Sequence, residues 1–208
     1  MKTIITFILS IICAFVCANG QALLTAEKVE EIEAYIDHFE KNDQLIGSIA
    51  INESGKEVFA KDFGSLERSA ESNKRQGTIG SITKMFTAVA LAQIEDEGKI
   101  DLDNTLNNYF PDLPNADKIT LQHMLDHTSG LKDYVVKGDN MELWLNEPVT
   151  DEEIIAEITR QGVSFAPGDS LDYSNSAFYL LGKVLENNQG KVYHQIIDER
   201  IISPLGLV

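Results

Sequence analysis

Cysteine is almost absent from this sequence. Cys13 and Cys17 are the two cysteines among 208 residues, and both lie in the first 20. If that segment is cleaved, the mature protein has no thiol, which excludes disulfide bonds and thiolate chemistry. Internal repeats and low-complexity tracts are absent as well, which favours an ordinary globular domain.

Clusters of basic residues are also absent. The formal net charge is −16, from 17 Lys and Arg against 33 Asp and Glu. An acidic chain without a basic patch repels phosphate groups. We therefore expect neither nucleic acid nor an anionic membrane surface among its partners, whereas a small-molecule or peptide substrate is compatible with this charge.

The first 20 residues have the pattern of a secretory signal peptide. Lys2 supplies the positive end, residues 4–16 are almost entirely apolar, and Ala18-Asn19-Gly20 offers small residues for cleavage. An uncleaved membrane anchor is the alternative, but a spanning helix needs roughly 20 apolar residues. We expect residues 1–20 to be removed, with no stable membrane insertion afterwards, and the mature protein to be secreted or periplasmic.

Hydrophobic periodicity predicts a first helix and then a β-hairpin. Thr25 can cap a helix whose apolar residues recur at spacings of three and four, namely Val29, Ile32, Ile36 and Phe39. From residue 47 to 63 the pattern alternates around the turn-rich Asn52-Glu53-Ser54-Gly55. This part of the chain therefore predicts helix followed by antiparallel strands.

The rest of the chain is dominated by helical patterns. A long helix is predicted from Ser81 to Glu97, ended by Gly98, and shorter helices over 120–127, from Thr150 and over 176–187. Residues 100–118 are rich in Asp, Asn and Pro, which indicates irregular structure. The predicted fold class is α+β, with helices packed on an antiparallel sheet.

Ser81 and Lys84 form a Ser-x-x-Lys motif at the start of the long helix. Residues three apart share a helix face, so the hydroxyl and the amine can meet. Lys84 is the only charged side chain between Ser81 and Ile94, and we expect this helix to be buried nearly all round. Removing an ammonium from water favours its neutral amine, which can take a proton from a serine nucleophile. The alternative is that Ser81 caps the helix while Lys84 reaches solvent.

Two other features bear on this chemistry. Ser129 and Lys132 repeat the Ser-x-x-Lys spacing in a Gly-containing loop, where no helix fixes their geometry, and we assign them no catalysis. Tyr173 and Asn175 precede a predicted helix: a phenol near an ammonium can shuttle a proton, and an amide can hold Lys84 or a substrate carbonyl. Taken alone, a tyrosine such as Tyr173 is more often an ordinary half-buried aromatic residue than a catalyst.

Several segments in order resemble the serine β-lactamase-related family. They are Gly80-Ser81-Ile82-Thr83-Lys84-Met85-Phe86-Thr87, Leu125-Asp126-His127-Thr128-Ser129-Gly130-Leu131, Pro167-Gly168, Tyr173-Ser174-Asn175 and Tyr179-Leu180-Leu181-Gly182. The Tyr-x-Asn triplet is similar to that of the class C β-lactamase, D-Ala-D-Ala carboxypeptidase and esterase branch. The resemblance extends to Ser203-Pro204-Leu205-Gly206-Leu207.

The resemblance implies a role for each site residue. Ser81 would be the acylated nucleophile, Lys84 its activating partner, Tyr173 the proton shuttle, and Asn175 would orient Lys84 and the substrate. No metal or organic cofactor is implied. His127 could be taken for the histidine of a catalytic triad, but the resemblance implies that its segment is a structural loop.

The resemblance also implies a fold of which this sequence would form only the N-terminal portion. Residues 21–208 would be the N-terminal portion of a hydrolase domain in which about 100–165 form an inserted helical domain. The C-terminal strands, with a Lys-Thr-Gly or His-x-Gly triplet and the second oxyanion donor, would follow Val208. Loss of one oxyanion donor typically costs about 10² to 10³ in rate. We expect the 208-residue chain itself to turn over poorly and to be poorly stable.

The sequence therefore predicts a secreted serine hydrolase that opens an amide, lactam or ester through an acyl-serine intermediate. The β-lactam, D-Ala-D-Ala peptide and ester substrates are not distinguished by it. The alternative is a non-catalytic periplasmic binding module, or an inactive fragment of such an enzyme.

Overall fold

A computed structural model describes residues 24–42, 46–64, 77–135 and 148–207. The predicted signal peptide lies outside the described residues. The chain divides into two compact units, residues 1–78 and residues 79–208. In the part of the chain that the structure describes, no helix is long and apolar enough to cross a membrane.

The described part of the first unit contains one helix and one hairpin. Helix α1 (Ala26–Glu40) begins after Thr25, whose side chain accepts a hydrogen bond from the backbone N–H of Lys28. Strands β1 (Gly47–Glu53) and β2 (Lys56–Phe63) pair antiparallel. Ser54 and Gly55 join them with φ of 51° and 77°, and two positive φ values give the turn the twist that a two-residue hairpin needs. The predicted helix and hairpin are confirmed.

The second unit is helical. In the described residues its helices are α2 (Thr83–Asp96), α3 (Leu121–Leu125), α4 (Asp151–Gln161), α5 (Asn175–Gln189), α6 (Tyr193–Ile197) and α7 (Ser203–Leu205). The same residues include short 3₁₀ turns at Gly80–Ile82 and Leu106–Asn108 and a π turn at Asp198–Ile202. The elements from α2 to α5 match the predicted helices. The helices after residue 192 were not predicted.

Side-chain caps fix where the helices of this unit begin. Thr120 and Thr150 each accept from the backbone N–H three residues on, and the side chain at that position reaches back to the cap backbone N–H. Ser174 caps α5 by accepting from the N–H of Ala177. These bonds satisfy donors that a helix start leaves unpaired. The start of α5 matters most because Asn175 is its first residue.

The core of the second unit is one cluster in which α2 and α5 pack together. Its fully buried members include Leu91, Ile94, Leu121, Met124, Leu131, Ile158, Leu180, Leu181, Leu185 and Ile196. Thr87 and Tyr193 add a hydrogen bond of 2.7 Å between their hydroxyls at the edge of this cluster. The core thus holds α2 and α5, which carry the candidate site, in a fixed relation.

The expectation that the Ser81 helix is buried nearly all round is wrong for the described residues. Ile82, Met85 and Val89 are 56%, 61% and 41% exposed, whereas the opposite face, with Ala90 and Leu91, is fully buried. An apolar side chain tolerates burial but does not by itself determine which neighbour covers it. The assignment of residues 100–165 as an inserted domain stays a prediction.

Replacement of Leu181 by Ala should destabilise the chain by about 2–5 kcal/mol, because it opens a cavity in the cluster between α2 and α5. Urea unfolding of the 208-residue chain measures the loss. Leu171→Ala is the matched control, since Leu171 is 73% exposed and should change the free energy of unfolding by less than about 0.5 kcal/mol. Equal losses in the two variants would contradict this core.

Candidate active site

Ser81 lies in the 3₁₀ turn that leads directly into α2. Lys84 follows one helical turn later, and its Nζ lies 3.4 Å from Ser81 Oγ. Gly80 precedes them with φ of 52°, a value that favours glycine. The predicted meeting of the hydroxyl and the amine on one helix face is therefore present in the structure.

Tyr173 and Asn175 reach the same place from the other side. Residues 171–174 run without regular structure into α5, and Tyr173 Oη donates a hydrogen bond of 2.8 Å to Ser81 Oγ. Lys84 Nζ donates a hydrogen bond of 2.6 Å to Asn175 Oδ1. The four residues named from the sequence thus form one connected set.

Lys84 is half-buried rather than deeply buried. Its Nζ lies 4.7 Å from the centre of the Tyr173 ring and 5.6 Å from the centre of the Phe178 ring. Aromatic faces attract an ammonium group. The amine is therefore held by an amide oxygen, a hydroxyl and two rings, and it does not extend freely into solvent as the capping alternative requires.

The surroundings of Tyr173 shift its acidity. Burial raises the pKa of its phenol, but hydrogen bonds with Lys84 and Ser81 and the charge of Lys84 outweigh that effect. The pKa of Tyr173 is therefore lowered from its ordinary value. A phenol that is more acidic than usual is deprotonated more readily, and its phenolate can accept a proton from Ser81.

His127 does not contact Ser81 in the described hydrogen bonds but supports Tyr173. Its ring centre lies 4.6 Å from that of Tyr173, and its Nδ1 accepts the backbone N–H of Ser174 at 3.2 Å. Burial and then the charge of Lys84 lower the pKa of His127, which keeps the ring neutral and able to accept. These contacts favour the structural role expected for this residue.

The second Ser-x-x-Lys segment is part of a buried turn. Ser129 is 1% exposed, and its Oγ accepts the backbone N–H of Leu131 at 3.3 Å. Gly130 has φ of 76°, and a Cβ there would lie 2.3 Å from the carbonyl oxygen of Phe165. Ser129 is therefore buried in a tightly packed turn, and its lack of a catalytic role stays a prediction.

Asp133 belongs to the site but was not found by sequence reasoning. It is 2% exposed; its Oδ1 accepts the N–H of Val135 at 2.9 Å and its Oδ2 accepts Asn175 Nδ2 at 2.7 Å. One aspartate among 33 acidic residues gives no signal of its own. Only its burial, which the fold creates, distinguishes it.

A pocket of about 390 Å³ opens beside Lys84 and Asn175. Its walls come from α2, α5, the 134–135 segment and the start of α6, and they include Thr87, Tyr134, Phe178, Tyr179 and Tyr193. Among the described residues no group of three or more His, Cys, Asp and Glu side chains could hold a metal ion.

A sequence model described as Beta-lactamase matches residues 32–208, most of the chain. The chain belongs to the Beta-lactamase family. The resemblance drawn from the motifs is thereby confirmed, and the members named below are hydrolases.

Two curated relatives show the range of this Beta-lactamase family. The D-alanyl-D-alanine-carboxypeptidase/endopeptidase AmpH of Escherichia coli K12 is 28% identical over 188 residues, which cover 85% of this chain and 48% of that protein. The esterase EstB of Burkholderia gladioli is 26% identical over 204 residues, which cover 89% of this chain and 52% of that protein. The chain spans about half the length of the curated relatives it matches.

A solved Beta-lactamase-fold structure agrees with the fold. The D-amino acid amidase of Ochrobactrum anthropi SV3 superposes with a TM-score of 0.69 at 30% identity, covering 82% of this chain and 51% of that chain. The predicted fold class, helices with an antiparallel sheet, is confirmed.

Stability should fall as the pH drops below about 6.5, the ordinary pKa of histidine. Because burial holds the pKa of His127 below that of the unfolded chain, the unfolded state binds a proton more readily, and protonation favours unfolding. Urea unfolding at pH 7.5 and pH 5.5 measures the loss, which His127→Gln should reduce. His194, which is exposed, gives the control variant His194→Gln. The same pH dependence in His127→Gln as in the parent would contradict this assignment.

Proposed function

We propose that the protein is a secreted serine hydrolase in which Ser81 forms an acyl-enzyme intermediate with an amide, lactam or ester. The observation that carries this proposal is the convergence on Ser81 Oγ, where Tyr173 Oη lies at 2.8 Å and Lys84 Nζ at 3.4 Å. A serine hydroxyl needs an adjacent base to become a nucleophile. Here two candidate bases flank the same oxygen.

The first half of the reaction is acylation. Ser81 Oγ attacks the carbonyl carbon of the substrate. At the same time the hydroxyl proton passes to a base, which is either the phenolate form of Tyr173 or the neutral amine form of Lys84. The tetrahedral intermediate collapses as that proton moves to the leaving nitrogen or oxygen, so the bond to the leaving group breaks and an ester to Ser81 remains. The second half is hydrolysis: water loses a proton to the same groups as its oxygen attacks the ester carbon, the bond from that carbon to Ser81 Oγ breaks, the acid product leaves, and the proton returns to Ser81 Oγ.

Lys84 and Asn175 prepare the site for this sequence. The hydrogen bond of 2.6 Å from Lys84 Nζ to Asn175 Oδ1 fixes the amine beside Ser81, and holding reacting groups in place removes much of the entropic cost of their encounter. The positive charge of Lys84 also stabilises the Tyr173 phenolate. The steps above use only residues of this chain and require no cofactor.

The relatives and the signal-like first 20 residues support the proposed substrate class. Carboxypeptidase, esterase and amidase activities in the names of the relatives all involve attack on an acyl carbon. The signal-like residues 1–20 favour a protein outside the cytoplasm, where small molecules and peptides with exposed acyl groups are accessible. A neutral small molecule or peptide is therefore the proposed substrate.

Ser81→Ala should abolish covalent labelling by a β-lactam or a fluorophosphonate probe, because it removes the attacked oxygen. The protein is expressed from the full open reading frame of its gene, and intact mass spectrometry counts the added groups. Ser129→Ala is the matched control from the second Ser-x-x-Lys segment and should label fully. Labelling that persists in Ser81→Ala and is lost in Ser129→Ala would refute the proposal.

The labelling rate should rise with pH and level off below pH 10, the ordinary pKa of tyrosine. The reason is that the phenolate form of Tyr173 accepts the proton of Ser81, and the pKa of Tyr173 is lowered by Lys84 and Ser81 against the effect of burial. Tyr173→Phe should remove this rise and slow labelling by about 10² to 10⁴. Tyr109→Phe is the control. A pH profile unchanged by Tyr173→Phe would exclude the phenol as the base.

A further inference from the structure

Behind the Lys84–Asn175 hydrogen bond lies a second one that the reaction scheme does not use. Asn175 Nδ2 donates to Asp133 Oδ2 at 2.7 Å, while Asp133 Oδ1 accepts the N–H of Val135 at 2.9 Å. Asp133 is 2% exposed, so solvent does not reach its carboxylate. A buried carboxylate is stable only when its oxygens accept hydrogen bonds, and both oxygens of Asp133 do so here.

The segment around Asp133 is fastened to the first turn of α5. Ser176 Oγ donates to the carbonyl oxygen of Lys132 at 2.6 Å and accepts the N–H of Tyr134 at 3.0 Å. These two bonds flank Asp133 on both sides along the chain. The carboxylate therefore has a fixed position relative to Asn175.

The two partners of Asn175 select one orientation of its amide. A carboxylate accepts hydrogen bonds and does not donate them, whereas an ammonium donates and does not accept. Asp133 therefore requires the NH₂ end of Asn175, which leaves Oδ1 toward Lys84. An amide rotated by 180° would present its donors to Lys84 and its oxygen to the carboxylate, and both contacts would be repulsive.

We propose that Asp133 is a positioning residue of the site: its buried carboxylate holds the Asn175 amide so that Oδ1 faces Lys84. With one N–H of Lys84 committed to Asn175 Oδ1, Nζ is held 3.4 Å from Ser81 Oγ. Asp133 acts through Asn175 and does not touch the substrate. This inference rests on the proposed function of Ser81.

Charged and titratable groups near Asn175 lie on three segments of the described chain. Lys84 lies on α2, Asp133 lies in the segment before residue 136, and His127 follows α3. The Asp133 charge raises the pKa of Tyr173, against the larger lowering effects of Lys84 and Ser81. Removing this charge should therefore lower the pKa of Tyr173 further.

Asp133→Asn in the full-length protein tests the inference by two kinetic readouts. The plateau of the labelling rate at Ser81 should fall by about 10- to 100-fold, because the amide and hence Lys84 are less well held. The rise of the rate with pH should move to lower pH, because the phenolate of Tyr173 forms more readily. Ser129→Ala, which changes a buried polar residue of the same loop, should change neither the plateau of the labelling rate nor its pH profile. A fully folded Asp133→Asn protein with the parent plateau and pH profile would overturn the inference.

The double variant Asp133→Asn/Asn175→Asp separates positioning from a merely structural role. Its new amide at 133 can donate to the new carboxylate at 175, so the hydrogen bond between the two positions and the melting temperature should largely recover. Labelling should stay at least about 10-fold below the parent, because a carboxylate against Lys84 favours the ammonium over the neutral amine. Recovery of labelling together with the melting temperature would show that Asp133 only supports the loop.

A third readout does not depend on acylation. In ¹⁵N-labelled protein, the Asn175 side-chain NH₂ resonance should shift and exchange faster with water in Asp133→Asn. An Asn175 resonance insensitive to this change would overturn the positioning inference even if Ser81 labels. Absence of labelling in the parent protein, with the resonance moving as expected, would instead refute the proposed function and leave the orientation of Asn175 supported.

Discussion

The hydrogen bond from Lys84 to Asn175 joins two helices whose contributing residues are 91 positions apart. Each end of this bond depends on local structure: Lys84 stands one turn after Ser81 at the start of α2, and Asn175 is the first residue of α5. The packing of α2 on α5 brings these two helix starts together. Without that bond the amine would lose its shortest hydrogen bond, the one that joins α2 to α5 at the site.

Charge balance explains how a half-buried lysine can be kept at this point. Asp133 supplies a buried negative charge on the far side of Asn175, and the rings of Tyr173 and Phe178 face the ammonium. Polar groups removed from water need such partners. The neutral amide of Asn175 therefore lies between the Lys84 cation and the Asp133 anion, and His127 remains neutral because burial and the charge of Lys84 lower its pKa.

Local features of the structure could be predicted from the sequence because neighbouring residues determine them. Thr25 and Thr150 cap helices, Ser54-Gly55 forms the hairpin turn, and Ser81 meets Lys84 through helical spacing. Asp133 could not be found in this way, because its significance arises from burial against a helix that begins 42 residues later. The exposure of Met85 likewise depends on which face packs, and hydrophobic identity does not reveal that. The roles of Ser81, Lys84, Tyr173 and Asn175 stay predictions that their geometry supports.

The most direct test of the account is a crystal structure of the full-length protein trapped with a slowly hydrolysed acylating compound. The account predicts continuous electron density from Ser81 Oγ to the acyl carbon, with Tyr173 Oη and Lys84 Nζ within hydrogen-bonding distance of Ser81 Oγ. Density attached to any other residue, or an acylated Ser81 from which both Lys84 and Tyr173 have turned away, would contradict it.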